Sequence, residues 1–188
     1  MVNPIFENRR AVRKYSKEAI SDDKIQEMIA AFQTAPCGMH QADVMNLVVV
    51  KDEGLRNKIE EVTDNSCYNA PVLFLINTKK DSEFGERDAS VAAENIMLEA
   101  TDLSLGSIYI MGGAARLNDF SDLQQELGID PEFQTTVIVA VGKSANCHPH
   151  SFGATSEPMI KPPWTPKNQK NGIRKPMAIA PPNESEIP

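Results

Sequence analysis

The sequence predicts an α+β or α/β domain built on one mixed sheet. Three observations predict it. Short apolar, β-branched runs at residues 47–50, 71–76, 107–110 and 135–141 read as strands. Helical stretches separate them, in the order helix, helix, strand, helix, strand, helix, strand, helix, strand. Beyond Gly142 this alternation stops and proline takes over.

Ile25, Met28, Ile29 and Phe32 lie on one face of a helix that opens after Ser21. Ser21 is a suitable N-cap, and Asp22 and Asp23 sit where the helix dipole favours negative charge. Pro36 stops the helix from continuing. Residues 54–62 form a second amphipathic helix, with Leu55, Ile59 and Val62 on one side. Residues 71–76 are apolar on both faces, as in a fully buried strand. Residues 88–105 make the strongest helix, rich in alanine and apolar nearly all round, with Gly106 as its C′ residue. A strand at 107–110 is closed by Met111, Gly112 and Gly113. A helix at 119–127 with Gly128 behind it leads to the last strand. Asn95 and Glu99 in the central helix would be costly to bury alone, so partners across a subunit seam are expected.

The reading therefore divides the chain at residue 145. Residues 1–145 are the folded domain, and 146–188 a proline-rich C-terminal arm without its own core. Trp164 and Met159 favour an arm docked on the body or on a partner subunit over a disordered one.

Composition narrows the function. A length of 188 residues with 41% hydrophobic and 24% charged residues suits one domain with a real core. The net charge of -7 argues against nucleic acid, which needs a broad basic face. No apolar run is long enough for a membrane span, and no signal-peptide pattern opens the chain. The three cysteines (Cys37, Cys67 and Cys147) fit reduced thiols in a cytoplasm. Cys147, His148 and His150 read as a polar loop, and no metal is expected.

Three segments stand out against this acidic background. Arg9, Arg10 and Arg13 fall within five positions, flanked by Ala11, Val12, Lys14 and Tyr15. Arginine gives bidentate contacts to phosphate, so such a cluster can hold a terminal phosphate group. Pro36, Cys37, Gly38, Met39 and His40 form a turn rich in backbone donors, where Gly38 allows close approach to a flat ligand. Tyr109, Ile110, Met111, Gly112 and Gly113 end a strand with two glycines, which suits a backbone N–H aimed at a ligand.

In this order the segments resemble the nitroreductase family of FMN-dependent oxidoreductases. Residues 9–15, Arg-Arg-Ala-Val-Arg-Lys-Tyr, resemble the family's Arg-Arg-Ser-x-Arg-x-Phe opening. Residues 35–40, Ala-Pro-Cys-Gly-Met-His, resemble its Ala-Pro-Ser-x-x-Asn turn. Tyr68-Asn69-Ala70-Pro71-Val72 is similar to its aromatic-x-Ala-Pro-Val strand entry. Residues 88–100 are similar to its central helix, and Leu103-Ser104-Leu105-Gly106-Ser107 to the Gly-Leu-Gly-Ser end of that helix.

The resemblance implies an α+β fold, with a mixed, mainly antiparallel central sheet flanked by helices, in an intertwined homodimer. It implies two FMN sites at the interface and NADH or NADPH as reductant. The implied activity is two-step hydride transfer to electron-poor acceptors such as nitroaromatics or quinones. Arg9, Arg10 and Arg13 would hold the FMN phosphate, ribityl chain and pyrimidine edge, with Ala11 among them. Residues 36–40 would come from the other subunit and line the flavin. Residues 109–113 would lie against the ring, with a Met111 or Gly112 N–H facing N5. Lys170 or Arg174 would supply a late cation for the phosphate, and Arg174 is taken as the candidate. The chain departs from the pattern at Ala11 in place of serine, at His40 in place of asparagine, and at Gln41, which stands one place early. Those departures motivate an alternative, a flavin-binding or sensing module without efficient turnover. Cys37 stands in for serine, His40 could donate to the flavin or orient an acceptor, and Asp43 would oppose anionic substrates.

Overall fold

The computed structural model describes residues 2–145. The proposed arm, with Cys147, His148, His150, Trp164, Lys170 and Arg174, lies outside them. Four strands form one antiparallel sheet: β1 (Met45–Val50), β2 (Val72–Lys79), β3 (Gly106–Ile110) and β4 (Phe133–Gly142), in the order β1-β2-β4-β3. The parallel component is a single bridge between Ala11 and Ser107. The sheet is thus mixed and mainly antiparallel, as the resemblance implied.

The two-residue period of β2 builds a layer on each face. Val72, Phe74 and Ile76 point to one side and pack with α2 (Asp22–Gln33) and α4 (Gly85–Asp102). Leu73 and Leu75 point to the other side, under α3 (Glu53–Val62), α5 (Gly112–Leu117) and α6 (Ser121–Glu126). Ala89, Ala92, Ala93 and Ala100 let α4 lie close against the sheet. No helix among the described residues is long and apolar enough to cross a membrane.

Local differences from the sequence reading have physical causes. Ser21 caps α2 by position, but its hydroxyl makes no cap bond, so the acidic first turn carries the dipole interaction alone. The central helix starts three residues earlier than expected and ends at Asp102. Its left-handed exit is Ser104 (φ 60°), not Gly106, which already belongs to β3. Gly106 is needed for a different reason: a Cβ there would meet Cγ2 of Val12 at 2.5 Å. Met111, Gly112 and Gly113 do not close a loop; Met111 is the N-cap of α5 and the two glycines open that helix. Asn95 finds its partners within the chain: its Nδ2 donates to Ala31 O at 3.2 Å and Thr34 Oγ1 at 3.3 Å on the neighbouring α2 end.

Candidate functional site

The arginine cluster is not a helix edge. The short helix α1 (Pro4–Asn8) is capped by Asn3, whose Oδ1 accepts from the Ile5 amide at 3.0 Å. It ends at Asn8, and residues 9–15 run on in a non-helical path beside β3. The Val12 amide donates to Ser107 O at 3.0 Å, the Ser16 amide to Lys143 O at 2.8 Å, and the Ala145 amide to Lys14 O at 2.9 Å. The Tyr15 hydroxyl bonds Val12 O at 2.8 Å and Ala140 O at 3.1 Å. Burial pushes that phenol well above its ordinary value, with further upward contributions from Cys67 and Tyr68. A segment carrying four cations in six residues is therefore fixed by its backbone and by Tyr15.

The side chains of Arg10, Arg13 and Lys14 face solvent. Arg13 and Lys14 line a cleft of about 310 Å³ with Ala11, Val12 and Ser144. Arg10 donates through Nη1 to Glu7 O and, at 2.9 Å, to Arg9 O. Arg9 is half-buried and leans on α4 through Glu94, at 3.6 Å. Two other clefts, of about 450 and 470 Å³, lie elsewhere. The first is lined by Glu61, Asp119, Asp122 and Glu126 against one cation, Lys58, a net negative surface that would repel a phosphate.

The turn at 36–40 is anchored to α4. The Gly38 amide donates to both carboxylate oxygens of Asp88, at 3.0 and 3.1 Å. A Cβ at Gly38 would meet the Phe84 ring at 2.7 Å, so only glycine packs here without displacement. The next residue, Met39, is left-handed (φ 55°) and 74% exposed. Pro36 is exposed and Cys37 is a half-buried free thiol.

Two residues along α4 from Asp88, Ser90 reaches β3. Its Oγ donates to Glu86 O at 2.7 Å, so at 3.0 Å it accepts from the Tyr109 hydroxyl. Tyr109 then has only lone pairs left to offer. Ile110 is buried in the second core layer, and Gly113 is closed in by Ile110, Ser66 and Thr63. Met111 is 65% exposed, and a Cβ on Gly112 would meet no atom within 4 Å. Of the 109–113 segment, Met111 and Gly112 form the open surface.

The strand β3 joins the two ends. Ser107, beside the arginine segment, and Met111 are four residues apart, about 13 Å along an extended chain. The structure thus sets the basic segment beside the start of β3 and the glycine pair just past its end, with the 36–40 turn tied to both through the first half of α4 and its middle. Asp88, Ser90 and Glu94, which make those ties, looked like ordinary residues of a helix in the sequence. Their partners lie 50, 19 and 85 residues away, and no local spacing reveals them.

Other charges are already engaged. Asp43 pairs with Lys79 at 2.9 Å, which holds its carboxyl below the usual range and offsets the repulsion of anions expected of it. The Glu99 carboxylate, by contrast, has no hydrogen-bond or ion-pair partner among the described residues; its backbone carbonyl accepts from the Leu103 amide at 2.9 Å. Desolvation, then Asp102 and Glu27, raise its carboxyl. Among the described residues no His, Cys, Asp and Glu side chains gather as a metal would require.

The fold and motifs can be set against known proteins. The nitroreductase family model matches residues 6–66 and 59–143. A protein of Archaeoglobus fulgidus named as an NADH dehydrogenase/NAD(P)H nitroreductase is 28% identical over 141 residues, covering 71% of this chain and 80% of its own. An NADPH-dependent oxidoreductase of Staphylococcus haemolyticus is 25% identical over 169 residues, covering 77% of this chain and 65% of its own length. A solved nitroreductase with bound FMN from Bacteroides fragilis superposes with a TM-score of 0.68 at 23% identity, over 93% of this chain and all of that one. With the arginine segment, the turn, the central helix and the glycine pair all inside the matched span, this chain belongs to the nitroreductase family.

Proposed function

We propose that this chain is an FMN-dependent NAD(P)H oxidoreductase. In this reading it reduces electron-poor acceptors such as nitroaromatics or quinones. It works as a homodimer with FMN at the interface. One observation carries the reading: a cationic segment held by its backbone lies beside the start of β3, and an open glycine backbone follows directly after the end of the same strand. The names of the relatives, among them an NAD(P)H nitroreductase and an FMN-bound nitroreductase, support it.

The residues present fit FMN. Arg9, Arg10 and Arg13 would hold the phosphate, ribityl chain and pyrimidine edge, and the backbone bonds at Val12, Ser16 and Lys14 hold the path of the segment that carries them. The open side of Gly112 leaves room for a flat ring to reach the backbone, whereas Gly113 is closed. Bound FMN supplies the redox chemistry, accepting hydride from NAD(P)H and passing it to an acceptor.

The chain's own residues orient and polarise. A Met111 or Gly112 N–H would serve as the donor to N5. The cations of the segment would neutralise the phosphate and favour negative charge on the pyrimidine edge. Tyr109, its proton committed to Ser90, contributes ring surface and an acceptor oxygen. Residues 36–40 of the second copy would line the flavin. Met39 and Met111 offer polarisable apolar surface, which suits electron-poor aromatic substrates better than sugars or simple anions. Arg174 remains the candidate for a late phosphate contact.

The test is the visible spectrum of the purified protein before and after anaerobic NADH or NADPH. Flavin absorbance that bleaches supports the oxidoreductase. Bound flavin that stays oxidised with both donors favours the binding module without turnover, and no flavin after reconstitution overturns both.

A further inference from the structure

We infer that Asp88 is the positioning residue that holds the 36–40 turn in its ligand-facing shape. The inference rests on the FMN-dependent reading above. Asp88 is 6% exposed, and both its carboxylate oxygens converge on one backbone N–H, that of Gly38. A carboxylate this buried is retained at a desolvation cost unless it is bonded, and the Gly38 N–H is the hydrogen bond its side chain makes here.

The turn needs such a hold. Met39 sits at φ 55°, a left-handed conformation that is unfavourable for a residue with a Cβ. Its side chain is 74% exposed, so packing does not select that conformation. The selection comes from the residue before it. Gly38 is fixed on one side by Asp88 and on the other by the Phe84 ring, itself backed by the Arg87 guanidinium at 5.9 Å from its centroid. Asp88 also belongs to the same helical turn as Ser90, which fixes Tyr109. A change at the turn is thus referred to the same rigid element that sets β3. The role is geometric: Asp88, buried and bonded to the Gly38 amide, acts through the backbone of residues 38–40.

The experiment compares wild type with Asp88→Ala, Asp88→Asn and Asp88→Glu in the full chain. Two readouts are taken: hydrogen exchange of a peptide covering residues 36–41 in the apo protein, and FMN affinity by flavin fluorescence. Exchange of peptides within 92–100 reports whether α4 remains folded. In Asp88→Ala the 36–41 peptide should exchange about 10- to 100-fold faster, and FMN should bind about tenfold more weakly, with α4 unchanged. Asp88→Asn keeps an acceptor oxygen and should restore both to within about threefold. Asp88→Glu keeps the charge but displaces it by a methylene, and should behave like Asp88→Ala. It serves as the probe if Asp88→Ala does not fold. Unchanged exchange overturns the clamp. Faster exchange with unaltered FMN affinity overturns its role toward the ligand and leaves a structural bond. If wild type binds no FMN, the functional reading fails and the ligand role with it, while the exchange arm still reads the clamp itself.

Discussion

The side-chain amide of Asn118 reads the backbone of Thr135 in both directions. Its Nδ2 donates to Thr135 O at 2.9 Å, and its Oδ1 accepts from the Thr135 amide at 2.8 Å. Asn118 is the C-cap of α5, so this pair bolts the helix that follows Met111 and Gly112 onto β4. Thr135 continues the network inward, donating through Oγ1 to Asn77 Oδ1 at 2.8 Å.

Asn118→Ala should therefore destabilise the fold by about 2–3 kcal/mol, because two backbone groups of a buried strand residue lose their partners. Asn118→Asp keeps the acceptor, loses the donor and should fall between. Urea midpoints of the three proteins check this. An alanine variant as stable as wild type would mean that water replaces the amide at no cost.

Ser107 makes the opposite prediction. Its Oγ is the buried side-chain polar atom left without a partner among the described residues. Ser107→Ala removes the orphan without touching the backbone bonds to Val12 and β4, and should be neutral or stabilising by up to about 1 kcal/mol. A lower melting temperature in the variant would show that the hydroxyl has a partner in solution.

Alkaline pH should weaken the fold before it affects surface charges. Burial, then the charge of Glu60, pushes the Cys67 thiol from 9.0 to about 12. Burial raises Tyr15 as well. Both groups ionise more easily in the unfolded chain, so their contribution is fully present below about pH 9 and is lost as pH rises. Each group contributes a slope of at most about 1.4 kcal/mol per pH unit between its two values. Melting temperatures from pH 8 to 10.5 should fall, and Cys67→Ala should flatten the fall. A flat wild-type curve would contradict the burial of both groups.

Arg9 and Arg10 changed together to alanine should weaken FMN binding at least 100-fold, since charge-assisted bonds contribute about 1.5–3 kcal/mol each. Flavin fluorescence titration measures it, best at two salt concentrations, because the loss should shrink as salt screens the site. Equal affinity in wild type and variant would remove the phosphate role.

Much of the fold was legible because apolar periodicity is a local signal. The β2 and β4 runs and the alanine-rich face of α4 each state their own burial. The candidate site was half legible: the arginines, the turn and the glycine pair could be named, but not the bonds that arrange them. The pairs Gly38–Asp88 and Tyr109–Ser90 join residues far apart in sequence, and a helix hides them among ordinary polar positions. α5 was hidden by its own composition, since two glycines at its start are poor helix formers that read as a loop. The expected cross-subunit partner of Asn95 was replaced by Ala31 and Thr34 because α2 and α4 lie side by side.

The bridge between Ala11 and Ser107 has a consequence for colloidal behaviour. β3 is a terminal strand of the sheet, and its outer edge would otherwise present unpaired peptide groups to any neighbouring chain. The segment laid against the start of that edge is studded with arginine and lysine, and like charges keep two such edges apart. The residues proposed to attract an anion thus also guard against edge-to-edge aggregation. Neutralising them all would strip that edge of its local charge.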